Sequence, residues 1–459
     1  MGRYLLCPVQ AFRSELSAQW RLAVPVVLAQ LGMMAMGVVD TAMVGHMDSN
    51  AQTALAAAGL GNQVLWVGGS FAFGLLSSLD PILSQALGAR DDRGLRLGLQ
   101  RGFLVAILAW FVVALPCLAA EPAFRWFEQD PAVIPLAASY ARISLLGFPF
   151  FLGFVVLRLC FTALQKMRPI LWAVLVGNLL NVGLNWVLIY GKLGVPALGV
   201  AGSAWASNLA RLSMLAVLLA FARSELRHLL QPLERGVFAL GPLLRTLRIG
   251  VPLGLQQAFE VGIFGLAFLL VGRFGPAPQA GHLIAINLAS LTFMVPLGVA
   301  NAGAVRTGRF VGQGDPQAVR QACRATLVLA LGFMSLSALA FAWLPRELAS
   351  FYTEDAAVIA MAAVFLPIAG AFQLFDGLQV AVLGLLRGIG ETFVPMLINL
   401  VGYWAISLPV GLYLAFRTDL GARGIWWGLT LGLFSVAIIV TLRLRQRLGG
   451  DLCRLEIES

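Results

Sequence analysis

Charge is scarce in this sequence. Asp, Glu, Lys and Arg make up only 12% of its 459 residues, whereas soluble proteins carry about 25%. No stretch between its long apolar runs has room for a soluble domain, which excludes most enzyme classes at once. Cysteine is sparse as well: Cys7, Cys117, Cys160, Cys323 and Cys453 are scattered without a CxxC pair, so neither a disulfide framework nor a metal site is expected. His46, His228 and His282 lie far apart and form no metal signature. The only Gly-Lys, in "YGKLG" (190–194), lacks the upstream glycine and following Ser/Thr of a phosphate-binding loop. No cofactor and no ATP hydrolysis are expected. The polar N-terminal segment has no cleavable apolar core, so no signal peptide is expected either.

What is abundant is hydrocarbon. Hydrophobic residues reach 59% and the mean hydropathy is +0.85. Apolar runs of about 20 residues, each able to cross ~30 Å of lipid, recur from end to end. They parse into twelve spans, roughly 18–45, 52–80, 98–119, 133–157, 161–190, 200–222, 245–272, 280–305, 322–343, 357–386, 393–416 and 424–442. The fold class is an all-α integral membrane protein whose obligatory partner is a lipid bilayer. A net charge of +10 suggests nucleic acid at first, but its distribution argues otherwise. With the N-terminus and every second loop taken as cytoplasmic, those segments hold 24 of the 32 Lys and Arg and the opposite loops 6. That is the positive-inside bias. It predicts both termini in the cytoplasm, places a bacterial chain in the inner membrane, and leaves no call for nucleic acid. A monomer is expected.

The chain also repeats itself at an offset of roughly 225 residues. "RLAVPVVLAQ" (21–30) returns as "RIGVPLGLQQ" (248–257), "DPAVIPLAASY" (130–140) as "DAAVIAMAAVF" (355–365), and "LGVAGSAW" (198–205) as "LGARGIWW" (420–427). The repeat unit is six spans, and an even number preserves orientation, so the halves are parallel repeats. The expected domains are an N-lobe over 1–222, a cytoplasmic linker over 223–244 and a C-lobe over 245–459. Two pseudo-symmetric six-helix bundles of this kind enclose a central cavity, and rocking of the lobes gives alternating access.

Three acids interrupt the oil: Asp40 in span one, Glu260 in span seven and Asp376 in span ten. An ionised group within a span costs ~2.5–3.5 kcal/mol on insertion scales and is functional by default. Glu260 and Asp376 each lie about 17 Å from a cytoplasmic-side arginine at 1.5 Å per residue, near mid-membrane, while Asp40 lies near the outer end of its span. Gln256 and Gln257 precede Glu260 at i−4 and i−3, and Gln373 and Gln379 flank Asp376 at i±3. Such spacings share a helix face. Asn178, Asn181 and Asn185 form a stripe on span five, and Asn399, Tyr403 and Ser407 another on span eleven. No Lys or Arg lies within a turn of the three acids along their own spans, so they are expected to stand away from cations. Such groups suit uptake and release of a proton, a sodium ion or a cationic substrate.

The stretches "VVDTAMVGHM" (38–47), "LDPILSQALGARDD" (79–92), "GVPLGLQQAFE" (250–260) and "FQLFDGLQVAVLGLLRGIGET" (372–392) resemble the multidrug and toxic compound extrusion (MATE) family, NorM-like branch, over nearly the whole chain. The resemblance implies a secondary active antiporter that exports cationic or amphipathic drugs and dyes in exchange for inward H+ or Na+. It implies that Asp40 binds the coupling ion with Asn181, Asn185 and Ser207, and that span one bends at Pro25. Glu260 and Asp376, with Gln256, Gln257, Gln373 and Gln379 beside them, are the implied cation- and substrate-binding residues. Sodium would sit at Asp40 or at Glu260 and Asp376. Two alternatives share parts of this pattern. A major-facilitator-like antiporter also has twelve spans, but its Arg-rich motif between spans two and three is not evident. A flippase for lipid-linked substrates would want a cationic cavity.

Overall fold

The computed structural model describes residues 8–47, 51–126 and 128–457; Cys7 lies outside them. The described residues are helical almost throughout and contain no strand. Among them, twelve segments are long and apolar enough to cross a membrane. In chain order these are α1 (Pro8–Gly45), α2 (Gln52–Gly88), α3 (Asp92–Leu118), α4 (Ile134–Ala163), α5 (Arg168–Tyr190) and α6 (Val200–Glu225). The second six are α7 (Leu240–Gly272), α8 (Pro276–Gly312), α9 (Pro316–Trp343), α10 (Ala356–Ile389), α11 (Phe393–Arg417) and α12 (Ala422–Gly449). Most run past the apolar limits expected from the sequence, because a helix continues beyond hydrocarbon until a cap or breaker stops it. Span four is one such case. The apolar run ends near residue 157, whereas α4 runs on to Ala163, and Arg158 within it is buried with its guanidinium carbon 5.6 Å from the centre of the Phe73 ring.

The internal repeat is visible in backbone detail. Asp91 caps α3 by accepting from Gly94 N at 2.8 Å, and Asp315 caps α9 by accepting from Ala318 N at 3.0 Å. Gly199 and Gly421, the first glycines of the matched "LG" motifs, precede α6 and α12 with φ of +55° in both, a conformation that costs glycine little. The second glycines, Gly202 and Gly424, have no room for a side chain. A Cβ there would meet backbone at Leu188 in one repeat and at Leu414 and Ala415 in the other. Small residues of this kind let membrane helices approach closely.

Packing does not divide the chain where the repeat does. One compact unit comprises the chain through Val27 with Phe259–Leu455, and the other comprises Leu28–Ala258 with the last residues. The boundaries fall inside α1 and α7 rather than in the linker, so each unit includes the leading half-helix of the other repeat. In the C-terminal unit Gln19 Nε2 donates to Thr326 Oγ1 at 2.8 Å, and Val27 fills the space beside Gly298. Arg306 grips Glu15 through both Nε and Nη2 and lies over the Phe310 ring, 5.2 Å from its centre. In the N-terminal unit the α7 backbone at Leu253 and Gly254 packs against Gly74 of α2. The helix α1 continues through Pro25, two residues before the boundary.

The Glu15–Arg306 pair is the most testable of these contacts, its side chains only 8% and 15% exposed. Removing one partner of a buried pair costs about 3–5 kcal/mol because the other charge is stranded. Glu15→Ala should therefore lower the thermal unfolding midpoint of the detergent-solubilised protein, and Glu15→Ala/Arg306→Met should recover most of the loss. An unchanged midpoint in Glu15→Ala would show that α1 is not fastened there.

Candidate functional site

Two groups of polar side chains stand apart from ordinary helix packing, one in each unit. In the N-terminal unit Asp40 of α1 receives three hydrogen bonds from two other helices. Asn181 Nδ2 and Asn185 Nδ2 of α5 donate to Oδ1 at 2.9 and 2.6 Å, and Ser207 Oγ of α6 donates to Oδ2 at 2.5 Å. Asn185 Nδ2 also reaches Asn181 Oδ1 at 3.2 Å. The i, i+4 spacing of the two asparagines puts both on one face of α5, and both are fully buried. Neutral donors hold this carboxylate in place without cancelling its charge. Asn185 Oδ1 is buried and has no hydrogen-bond partner, so it adds an unused oxygen beside the carboxylate. Oxygen clusters of that kind suit a hard cation, and a proton on Asp40 suits them equally.

One expectation about Asp40 needs correction. No cation lies near it along α1, but Arg211 of α6, one turn beyond Ser207, is within electrostatic reach. Its guanidinium carbon lies 5.6 and 5.9 Å from the centres of the Phe151 and Phe148 rings, and Nη1 reaches the Ser144 carbonyl at 3.5 Å. Spacing within one helix carries no information about a charge delivered by another. The available signal was the i+4 step from Ser207 to Arg211.

In the C-terminal unit Asp376 of α10 is within electrostatic reach of Glu260 of α7, and Tyr403 of α11 is within reach of both. Among the described residues neither carboxylate accepts a hydrogen bond or pairs with a cation. Aromatic rings crowd the same helices: Phe259 meets Trp404 edge-on at 6.4 Å, and Phe264 lies 6.4 Å from Tyr403. Tyr403 donates to Gln379 Oε1 at 3.0 Å, and Gln379 Nε2 contacts Asn399 Oδ1 at 3.4 Å. Gln379 thus reaches the pair through Tyr403. The stretch Val401–Ser407 of α11 is a π-helix, a local widening often found at functional sites.

The glutamines expected beside these acids separate into distinct roles. Gln373 does not offer its amide to a ligand. Its Nε2 donates to Thr292 Oγ1 and the Ala289 carbonyl, and its Oε1 accepts from Ser337 Oγ at 2.6 Å. With every strong contact used by α8 and α9, Gln373 is interhelical glue, and its i−3 spacing from Asp376 reflects packing. Gln256 is half-buried with Oε1 unpartnered, whereas Gln257 is exposed; both belong to the part of α7 that packs with the N-terminal unit. Thr292 and Ser337 had no sequence signal beyond being polar within a span. Among the described residues no three His, Cys, Asp or Glu side chains converge as a metal site.

A sequence model of the MatE family matches residues 25–187 and again 252–413, most of the chain in two copies. The chain belongs to the MatE family. It is 36% identical over 433 residues to the multidrug resistance protein NorM of Burkholderia vietnamiensis, covering 92% of each chain. It is 35% identical over 456 residues to a probable multidrug resistance protein NorM of Mesorhizobium japonicum, covering 96% of each. Among solved structures, the eukaryotic MATE transporter AtDTX14 superimposes with a TM-score of 0.84 at 22% identity, over 95% of this chain and 100% of that one. The bent form of the Vibrio cholerae MATE transporter VcmN gives 0.82 at 20%, over 96% and 98%. These likenesses establish the twelve-span MATE fold. Members of the family are transport proteins, not enzymes, and use no cofactor.

If Gln373 is glue, Gln373→Ala should act on stability. The substitution strands Ser337 and Thr292, each worth about 1–3 kcal/mol when left unsatisfied. The thermal midpoint should fall while the affinity for ethidium stays within twofold of wild type. A tenfold loss of ethidium affinity at unchanged stability would return Gln373 to the site.

Proposed function

We propose that the protein is a secondary active multidrug efflux antiporter of the inner membrane, exporting cationic and amphipathic drugs and dyes in exchange for inward H+ or Na+. The observation that carries this reading is the Glu260–Asp376 pair, two intramembrane carboxylates that have no hydrogen bond and no counter-charge among the described residues, on helices that carry Phe, Tyr and Trp rings. Two such anions side by side favour a cation between them, and the rings add cation–π attraction. The names of the relatives, multidrug resistance proteins, point the same way.

Asp40, with Asn181, Asn185 and Ser207, takes the coupling ion in this reading. Its carboxylate is already oriented, so an arriving proton or sodium ion meets a formed site. Loading cancels the Asp40 charge and alters its balance with Arg211, and α1 transmits the change past Pro25. Drug and ion then need not touch the same atoms, provided that both bias one two-state element. Alternating access of the two lobes, with both termini cytoplasmic and the chain acting as a monomer, completes the proposal. The gradient supplies the work, ~2.3 kcal/mol per charge per 100 mV from the potential alone.

Proteoliposomes with sodium and proton gradients imposed separately test the coupling. Glu260→Gln and Asp376→Asn should each reduce ethidium export at least tenfold in folded protein. The double variant should be little worse than either, as expected of groups acting as a unit. Wild-type export by the double variant would remove these acids from the mechanism.

Asp40→Asn makes a separate prediction. Ion-driven export should fail, while equilibrium drug affinity shifts only by a coupling free energy of about 1–3 kcal/mol. The measurement is ethidium affinity and export from pH 5.5 to 8.5, with and without sodium. Retention of the full wild-type ion dependence by Asp40→Asn would move the coupling role to Glu260 and Asp376.

A further inference from the structure

The segment after α6 is fastened to the body of the N-terminal unit. Gln100 Nε2 of α3 donates to the carbonyls of Leu229, Leu230 and Pro232 at 3.1, 3.4 and 3.0 Å, and Gln100 Oε1 accepts from Glu234 N at 3.0 Å. Arg101 Nη2 donates to the Gly236 carbonyl at 3.2 Å, and Leu229 and Val237 are buried. The backbone of the linker between the sequence repeats is therefore held in one place against α3.

Its charges are sorted. Glu225 pairs with Lys166 at 2.6 Å, and Glu234 pairs with Arg93 and Arg96 at 3.5 and 3.2 Å. Both acids of the stretch 223–239 are thus neutralised from other helices. Its own basic residues, Arg223, Arg227, His228 and Arg235, are exposed and make no ion pair among the described residues. Ser224, Arg227, His228, Gln231 and Pro232 line an open cleft of about 680 Å³. Immediately beyond it in the chain, Leu233, Phe238 and Leu240 are 64%, 64% and 66% exposed. Large apolar side chains left bare beside unpaired cations are what a bilayer surface matches.

We propose that this cleft binds the headgroup of an anionic phospholipid. Arg227 and His228 face the phosphate, Gln231 donates a hydrogen bond to it, and Leu233 and Phe238 enter the acyl boundary, while Ser224, whose hydroxyl donates to the Phe221 carbonyl at 2.8 Å, lines the wall. None of the residues lining the cleft is one of the proposed transport residues. Placing the lipid in the cytoplasmic leaflet rests on the positive-inside reading, whereas binding in detergent does not.

The full-length protein, purified in detergent, is titrated with phosphatidylglycerol or with phosphatidylcholine of the same chains, and bound lipid is counted by native mass spectrometry. Phosphatidylglycerol should bind at concentrations at least tenfold lower than phosphatidylcholine. Arg227→Gln/His228→Gln should abolish that preference, and Arg346→Gln, at an exposed arginine in the short helix Pro345–Ser350, should leave it intact. Equal binding of the two lipids, equal loss in both variants, or complete displacement of phosphatidylglycerol by equimolar inorganic phosphate would each overturn the proposal. The last outcome would reveal a simple anion site. Ethidium export by Arg227→Gln/His228→Gln in neutral-lipid vesicles should match wild type, so failure here and failure of the antiport reading are told apart.

Discussion

Lipid hydrocarbon offers no hydrogen bonds, and that constraint orders the rest of this molecule. Every polar atom within a span must find a partner in the protein or stand unsatisfied at a cost of several kcal/mol. Most side chains meet the demand. Gln19 bonds Thr326, Asn178 bonds the Gly32 carbonyl, Asn208 bonds the Ile143 carbonyl, and Gln373 is consumed by Thr292 and Ser337. Against that background the exceptions are informative. Among the described residues no donor reaches the Glu260 or Asp376 carboxylate, and Asn185 Oδ1 beside Asp40 is unpartnered, as are Gln19 Oε1 and Asn208 Oδ1. What distinguishes Glu260 and Asp376 is that the unsatisfied group is an ionisable acid rather than an amide or hydroxyl oxygen.

The same accounting explains what the sequence disclosed. Span number and order follow from hydropathy, because a helix in lipid must satisfy its own backbone. The repeat was legible because the LG motifs carry backbone demands, a positive φ at Gly199 and Gly421 and a close approach at Gly202 and Gly424, that other residues meet poorly. The grouping of Asp40 with Asn181, Asn185 and Ser207 came from family resemblance, and the structure brings all four together. Spacing placed Gln373 and Gln379 on the Asp376 face, yet only Gln379 communicates with the pair, through Tyr403. The direction a side chain takes depends on the helix opposite, and a single helix does not encode it. Arg211 escaped notice beside Asp40 for the same reason.

Less legible still was the exchange of half-helices. The repeat places all of α1 with the first half of the sequence and all of α7 with the second, whereas packing assigns Glu15 and Gln19 to the C-terminal unit and Leu253 to the N-terminal one. Covalent order records duplication, while contacts record which surfaces bury one another. Glu15 and Arg306 are 291 residues apart in the chain, and nothing local to either one announces the other.

That exchange divides α1 between the two units. Its first half is held by Glu15 and Gln19, and its second half carries Asp40 into the cluster from α5 and α6. Between them, Pro25 supplies no N–H, so the carbonyl of Arg21, four residues earlier, loses its helical partner. The helix is weakest close to the point where it changes unit. Pro252 stands in the matching position of α7, four residues after Arg248 and eight before Glu260. Each repeat therefore has the same series along one rod: an anchored start, a softened turn at proline, then an intramembrane carboxylate. Asp40 lies on the half of α1 that belongs to the N-terminal unit, and Glu260 lies two residues past the corresponding boundary within α7. The backbone of α1 and of α7 passes from one unit to the other without a break in the helix.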